Sequence, residues 1–195
     1  MAGMTLVTGG ARSGKSAFAE SLLDTKADIQ YIATNGAAQD EEMRTRVGLH
    51  QKRRPKNWTT TETYLKVPEA IEAAQVSGHL LDCATMLTTN YFFEGMKRQF
   101  GEDFERIDKE IVTLSEKKKL TIQEDILHEW SRIINAAKNA QSELVIVTNE
   151  VGLGIVPENA FSRWFRDVLG TVNQTLGKEA DAVFLVIAGI PMKIK

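Results

Sequence analysis

Residues 9–16 read Gly9-Gly10-Ala11-Arg12-Ser13-Gly14-Lys15-Ser16, which fits the spacing G-x-x-x-x-G-K-S. Each type has a task in that pattern. The glycines let the backbone turn tightly and aim its N–H groups at phosphate oxygens. Lys15 reaches the β and γ phosphates of a nucleotide, and the Ser16 hydroxyl binds Mg²⁺. A helix starting here adds its positive end. The bland alternative is a glycine-rich turn with an exposed lysine. The context argues against it, because the apolar run Met4 to Thr8 precedes the loop and a helical pattern with Phe18, Leu22 and Leu23 follows.

A phosphate cradle of this kind uses a partner acid at the end of another strand to hold Mg²⁺. Asp82 in "LLDC" and Glu150 in "VIVTNE" both qualify, and Asp82 ends the plainer apolar run. Asp82 could instead cap a helix beginning near Thr85. Glu150 could instead form a loop salt bridge.

The second chemical candidate is His50, one of three histidines, with Arg46, Lys52, Arg53 and Arg54 close by. Three readings compete. Met43, Val47 and His50 share helical spacing, so His50 can be one edge of a packed face. The basic run can contact nucleic acid, although aromatic interleaving is poor and the formal charge is -2. Or the imidazole is a nucleophile. Cations disfavour its protonated form, keep a lone pair available and hold the phosphates it would attack. His79 and His128 match no motif and read as structural.

These groups must be placed by an alternation of strands and helices. Residues 29–34 and 57–63 read as strands, 40–54 as a helix stopped by Pro55, and 79–82 as a strand. A helix starts at "VPEAIEAAQ" with Pro68 in its first turn. Residues 143–150 form a buried strand. The stripe Phe161, Trp164, Phe165, Val168, Leu169, Val172, Leu176 predicts a helix over 157–177 with Gly177 at its stop. The chain ends in an apolar strand and a short basic tail. Such alternation predicts an α/β fold of P-loop NTPase type, RecA-like, with a mostly parallel sheet and helices on both faces. We expect one domain over 1–195, carrying a charged helical insertion at about 94–141. There Ile122, Ile126, Trp130, Ile133, Ile134 and Ala137 follow helical spacing and pack on the sheet or on a neighbouring subunit.

The bulk numbers bound the classes. With 24 basic and 26 acidic residues, nothing pulls the whole chain toward nucleic acid or an anionic membrane. A single cysteine, Cys83, excludes an intramolecular disulfide and a cysteine-rich zinc site. No run of 18 apolar residues exists, and "MAGMTLVTGG" lacks the features of a signal peptide, so a cytoplasmic protein is expected. No N-K-x-D segment is present to read guanine as a signalling GTPase would. The cradle alone still leaves open a kinase of some small alcohol or a RecA-like ATPase module.

The stretches "LVTGGARSGKSAFAE", "YIAT", "RVGLHQKRRPKNWTTTE", "LLDCATMLTTN", "VIVTNEVGLGIVPENAFSRWFRDVLGTVNQTL" and "VFLVIAGIPMKIK" together resemble the bifunctional adenosylcobinamide kinase/adenosylcobinamide-phosphate guanylyltransferase family. The resemblance implies a cobalamin-biosynthetic enzyme that phosphorylates adenosylcobinamide with ATP or GTP and then transfers GMP from GTP. It implies that His50 becomes guanylylated and that Glu62 and Asp82 contact nucleotide. The remaining nucleotide-binding set expected is Gly9 to Ser16, Ala33, Thr34, Asn35, Lys52, Arg53, Arg54 and Pro55, with Ser16 and Asp82 on Mg²⁺. Adenosylcobinamide, its phosphate and the two nucleotides are the implied partners. A homo-oligomer, by family habit a trimer, is implied as well. Residues 94–141 depart from the family pattern and leave open what that stretch contacts.

Overall fold

The fold is that of a computed structural model describing residues 3–23, 28–34, 55, 57–101 and 111–195. Strand β1, Met4–Gly9, is buried along nearly its whole length, with Met4, Leu6 and Val7 in the core. It is followed by helix α1 (Lys15–Leu23), strands β2 (Ile29–Ala33) and β3 (Thr59–Glu62), helix α2 (Val67–Ala73), strand β4 (Gly78–Asp82) and helices α3 (Ala84–Phe100) and α4 (Glu116–Ala140). Strand β5 (Glu143–Asn149), helix α5 (Ala160–Glu179), and strands β6 (Ala182–Ile187) and β7 (Ile190–Lys193) complete the elements among the described residues.

The seven strands form one sheet in the order β3-β2-β4-β5-β1-β6-β7. All pairings are parallel except β6 with β7. This is the expected α/β architecture, a mostly parallel sheet with helices on both faces. The strand ending at Asp82 is separated from the strand entering the glycine loop by one strand, β5.

Side-chain alternation divides the core in two. Val7, Tyr31, Leu80, Val145 and Val147 face α1 and pack with Ala19 and Leu23. Leu6, Ile32, Leu81, Leu144 and Ile146 face the other way, into the larger cluster under α3, α4 and α5. The six helical positions picked out between 122 and 137 are all buried in that cluster. Trp130 is fully buried, and its indole N–H donates to Thr88 Oγ1 over 3.1 Å. Truncating such a side chain costs about 3–5 kcal/mol, so α4 is part of the domain's core.

Two expectations are corrected. The helix expected from 157 begins at Ala160, because Asn159 caps it by accepting a 2.7 Å bond from the Ser162 N–H. It also runs past Gly177 to Glu179, with Ala180 as its C-cap. Gly177 lies inside the last turn, where it leaves open space instead of ending the helix. The basic tail is not a tail either. It turns at Ala188 and Gly189, both at positive φ, and returns as β7.

Candidate nucleotide site

The glycine loop leaves β1 at the carboxyl edge of the sheet, where ligands bind in open α/β folds. Its shape demands small residues at two places. A Cβ on Gly9 would lie 2.5 Å from Val186 O and 2.6 Å from Ser13 Oγ. Gly14 has φ +95 and would bring a Cβ to 3.1 Å from Gly189 Cα. Arg12 takes a positive φ of 56 and is exposed on the turn. The loop is held from both flanks by backbone bonds. Glu150 N donates to Gly9 O over 3.2 Å, and Gly189 N donates to Ser13 O over 2.8 Å.

Lys15 opens α1 and folds back across the loop, donating from Nζ to Gly10 O at 3.0 Å. Burial lowers its pKa, an effect opposed by Cys83 and by the carboxylate of Asp82. The ammonium therefore sits over the loop's amides with Asp82 as its counter-charge. Ser16 follows it, half-buried, one residue into the helix.

Register explains why Asp82 faces Lys15. Leu80 packs in the α1-side cluster, and Asp82, two residues on, points the same way. Ala33 pairs with Asp82 on one side and with Glu62 on the other, so the three residues stand in a row along the edge. At the usual strand spacing, Glu62 is about 10 Å from Asp82; it is exposed at the end of the edge strand. Asp82 Oδ2 accepts a 2.8 Å hydrogen bond from the buried Tyr31 hydroxyl. Thr34, fully buried, stitches the same edge: its hydroxyl donates to Cys83 O at 2.8 Å and accepts from Cys83 N at 2.9 Å. Asn90 donates to Thr34 O at 2.9 Å.

Asp82 is not the cap of the next helix; Cys83 holds that position. The Cys83 thiol is pushed up to about 11 by burial and by Asp82, which keeps it protonated and unreactive near neutrality. Glu150 makes no ion pair among the described residues. Its Oε1 accepts from Gly152 N at 3.2 Å, steadying the loop that follows β5. Pro55 is half-buried, and its carbonyl accepts from Trp58 N at 3.1 Å, leading the chain into β3. Asn35, His50, Lys52, Arg53 and Arg54 lie outside the described residues. His79 is fully buried on β4 and bonded to Gln30, and His128 is exposed on α4.

Tyr31 and Asn90, and the two backbone clamps on the loop, were not singled out from the sequence. For Tyr31 a signal exists. It lies two residues before Ala33, so it shares the face on which Asp82 projects.

The residues present fit a magnesium–nucleotide complex. The described residues contain no cluster of three His, Cys, Asp or Glu that could hold a metal alone. Mg²⁺ on a nucleotide needs only one or two protein ligands beside phosphate oxygens and water. The Ser16 hydroxyl and the Asp82 oxygen not bonded to Tyr31 can supply those.

Comparison with known proteins follows the same line. The family model described as "Cobinamide kinase / cobinamide phosphate guanyltransferase" matches residues 5–194. The "Bifunctional adenosylcobalamin biosynthesis protein CobU" of Escherichia coli (strain K12) is 39% identical over 196 residues, covering 98% of this chain and 99% of that protein. The protein of the same name from Salmonella typhimurium (strain LT2) is 39% identical over 194 residues, covering 98% and 99%. The "Bifunctional adenosylcobalamin biosynthesis protein CobP" of Pseudomonas aeruginosa is 32% identical over 193 residues, covering 97% and 96%.

Proposed function

The chain belongs to the cobinamide kinase / cobinamide phosphate guanyltransferase family, and from that premise we propose how its residues divide the two reactions. The observation that carries the proposal is the cradle: a loop whose Gly9 admits no side chain, with Lys15 Nζ lying across it and Asp82 facing it from β4.

In the kinase half, a nucleoside triphosphate lies on Gly9 to Ser16. The acceptor hydroxyl of cobinamide forms a bond to the γ-phosphorus, the bond to the β-phosphate bridging oxygen breaks, and the hydroxyl proton leaves to solvent. Positioning and charge neutralisation by Lys15 and the loop amides do most of the work. Ser16 and Asp82 would hold Mg²⁺, which would supply further neutralisation of phosphate charge. Ala33, Thr34 and Glu62, along the same edge, contact the rest of the nucleotide together with Asn35.

In the transferase half, a ring nitrogen of His50 bonds to the α-phosphorus of GTP and pyrophosphate departs. A phosphate oxygen of cobinamide phosphate then displaces the imidazole, which gives the cobinamide-GDP product and frees His50. Lys52, Arg53 and Arg54 steady the triphosphate and the departing pyrophosphate, and Pro55 fixes where that basic stretch joins β3. A covalent intermediate splits one difficult displacement into two. A homo-oligomer, most simply a trimer, and a cytoplasmic location complete the proposal; no helix among the described residues is long and apolar enough to cross a membrane.

Intact-protein mass spectrometry after incubation with GTP tests the transferase half. A gain of one GMP, acid-labile and mapped to His50, is expected. No adduct, or an acid-stable one on another residue, would remove His50 from the reaction.

A further inference from the structure

Asn149 ends β5, the strand that lies between the loop-bearing β1 and the Asp82-bearing β4. Neither reaction half, as derived above, uses it. It pairs with Gly9 in the parallel ladder, so it stands about 5 Å from the first residue of the phosphate loop. Alternation decides which way its side chain faces. Val145 and Val147 pack on the α1 side of the sheet. Thr148 points the other way, where its hydroxyl donates to Asn173 Oδ1 of α5 over 2.8 Å. Asn149 therefore projects on the α1 side, the face that carries Lys15 and Asp82.

The backbone of Asn149 is held from several directions. Its N–H donates to Thr85 Oγ1 of α3 at 2.9 Å, and its carbonyl accepts from Asn173 Nδ2 of α5 at 3.1 Å. The next N–H along the chain, that of Glu150, donates to Gly9 O. Side chains from two helices and the loop itself thus fix one residue at the lip of the cradle. A donor mounted in this way needs no reorganisation when charge develops beside it, which is the condition for electrostatic stabilisation of a transition state.

The carboxamide itself is unspent. It is half-buried and makes no hydrogen bond among the described residues. An asparagine at a strand end commonly folds back onto the backbone two residues on. Here the turn is held without it, by Glu150 Oε1 accepting from Gly152 N and by Gly154 N donating to Val151 O. Nor does it cap a helix, since Cys83 caps α3 and Asn159 caps α5. What remains is a neutral group with two N–H donors, fixed beside the loop. Lys15 Nζ, at 3.0 Å from Gly10 O, marks the end of the loop where the β and γ phosphates lie. Asn149 stands abreast of Gly9, at that same end.

We propose that Asn149 Nδ2 donates a hydrogen bond to a γ-phosphoryl oxygen and is a catalytic residue of the kinase half. The contact holds the phosphoryl group in line as the acceptor hydroxyl bonds to phosphorus and the bond to the bridging oxygen breaks. It also separates a bound triphosphate from the diphosphate product, which has no group there. The inference rests on the kinase assignment above and adds a residue that touches the transferred phosphoryl.

The test uses Asn149→Ala and the isosteric Asn149→Asp. Kinase turnover with cobinamide is measured beside calorimetric titrations with ADP and AMP-PNP and thermal melts without ligand. Adenosine nucleotides keep guanylylation of His50 out of the readout. Turnover of Asn149→Ala should fall by about a hundredfold, with acceptor KM, ADP affinity and melting temperature near those of the parent. Asn149→Asp sets a carboxylate against the γ-phosphate and should weaken AMP-PNP by about tenfold or more relative to ADP. Parent-like turnover in Asn149→Ala overturns the proposal. So does an equal loss of ADP and AMP-PNP affinity in Asn149→Asp, with or without a lowered melting temperature, which would make the asparagine structural. A parent that does not phosphorylate cobinamide would sink the kinase assignment, and the contrast between AMP-PNP and ADP would then still decide whether Asn149 meets the γ-phosphoryl group.

Discussion

The phenol of Tyr31 donates to Oδ2 of Asp82 across 2.8 Å, joining adjacent strands at the lip of the phosphate loop. One carboxylate oxygen is thereby fixed, and the Asp82 charge acts on Lys15 across the loop. Tyr31 is 4% exposed, so Tyr31→Phe keeps the packing and removes the bond to Asp82. A hydrogen bond to a charged group contributes about 1.5–3 kcal/mol. Nucleotide affinity without Mg²⁺ should therefore hold, while the gain in affinity on adding Mg²⁺ should shrink by about tenfold. Calorimetric titrations with and without the cation check this. An unaltered Mg²⁺ response would mean that the pair serves only the fold.

Lys15 and His50 should fail separately. Lys15→Ala removes the charge over the loop and should lower kinase turnover by about a hundredfold or more. His50→Ala should abolish label retained from α-³²P-GTP and leave phosphorylation of cobinamide near its parent rate. Both rates are measured on one preparation of each variant. Loss of both activities in His50→Ala, with an unchanged melting temperature, would tie the halves to one shared group.

Much of this site is legible in the sequence because its causes are local. The spacing from Gly9 to Ser16 dictates the loop, and the apolar run before Asp82 dictates where that carboxylate emerges. Alternation then decides its direction, since Leu80 must be buried under α1. What escapes is set by distant chain. Nothing near Gly189 announces that its N–H holds Ser13, 176 residues earlier. Nor does "IPMKIK" reveal that it pairs with β6, because a basic tail and an edge strand share that composition. Gly177 misleads for a related reason: glycine ends helices when the chain must turn left-handed, but here it only makes room.

Gly9→Ala and Gly10→Ala should separate sharply in stability. The methyl at Gly9 meets a strand carbonyl that cannot move, Val186 O at 2.5 Å. The one at Gly10 meets nothing within 4 Å, and its φ is ordinary. Overpacking costs about 1–3 kcal/mol, and each kcal/mol lowers the melting temperature by about 2–4 °C at this chain length. Thermal melts without ligand should show Gly9→Ala several degrees below the parent and Gly10→Ala within a degree or so. Equal melting temperatures would mean that β6 yields more easily than its position in the sheet implies.

His79 should make the fold acid-sensitive. It is fully buried, and its Nδ1 meets Gln30 Oε1 at 2.8 Å. The Gln30 amide nitrogen donates to Thr61 Oγ1 and to Ala70 O, which fixes the amide and makes Nδ1 the donor. Nε2 then keeps a bare lone pair with no partner among the described residues. Burial without a counter-charge pushes the pKa down to about 4, against about 6.5 in an unfolded chain. Between those values the unfolded state holds more protons than the folded one. Stability is therefore complete above about pH 6.5 and is lost as pH falls toward 4, by up to about 1.4 kcal/mol per pH unit. Melting temperature should fall by about 3–5 °C per unit over that window from this group. His79→Met, which keeps an uncharged side chain of similar length in the core, should flatten the slope by that amount while the acidic residues' own contribution at lower pH persists. A slope identical in parent and variant would show that the imidazole is protonated inside the fold, and that water or a shifted Gln30 reaches it.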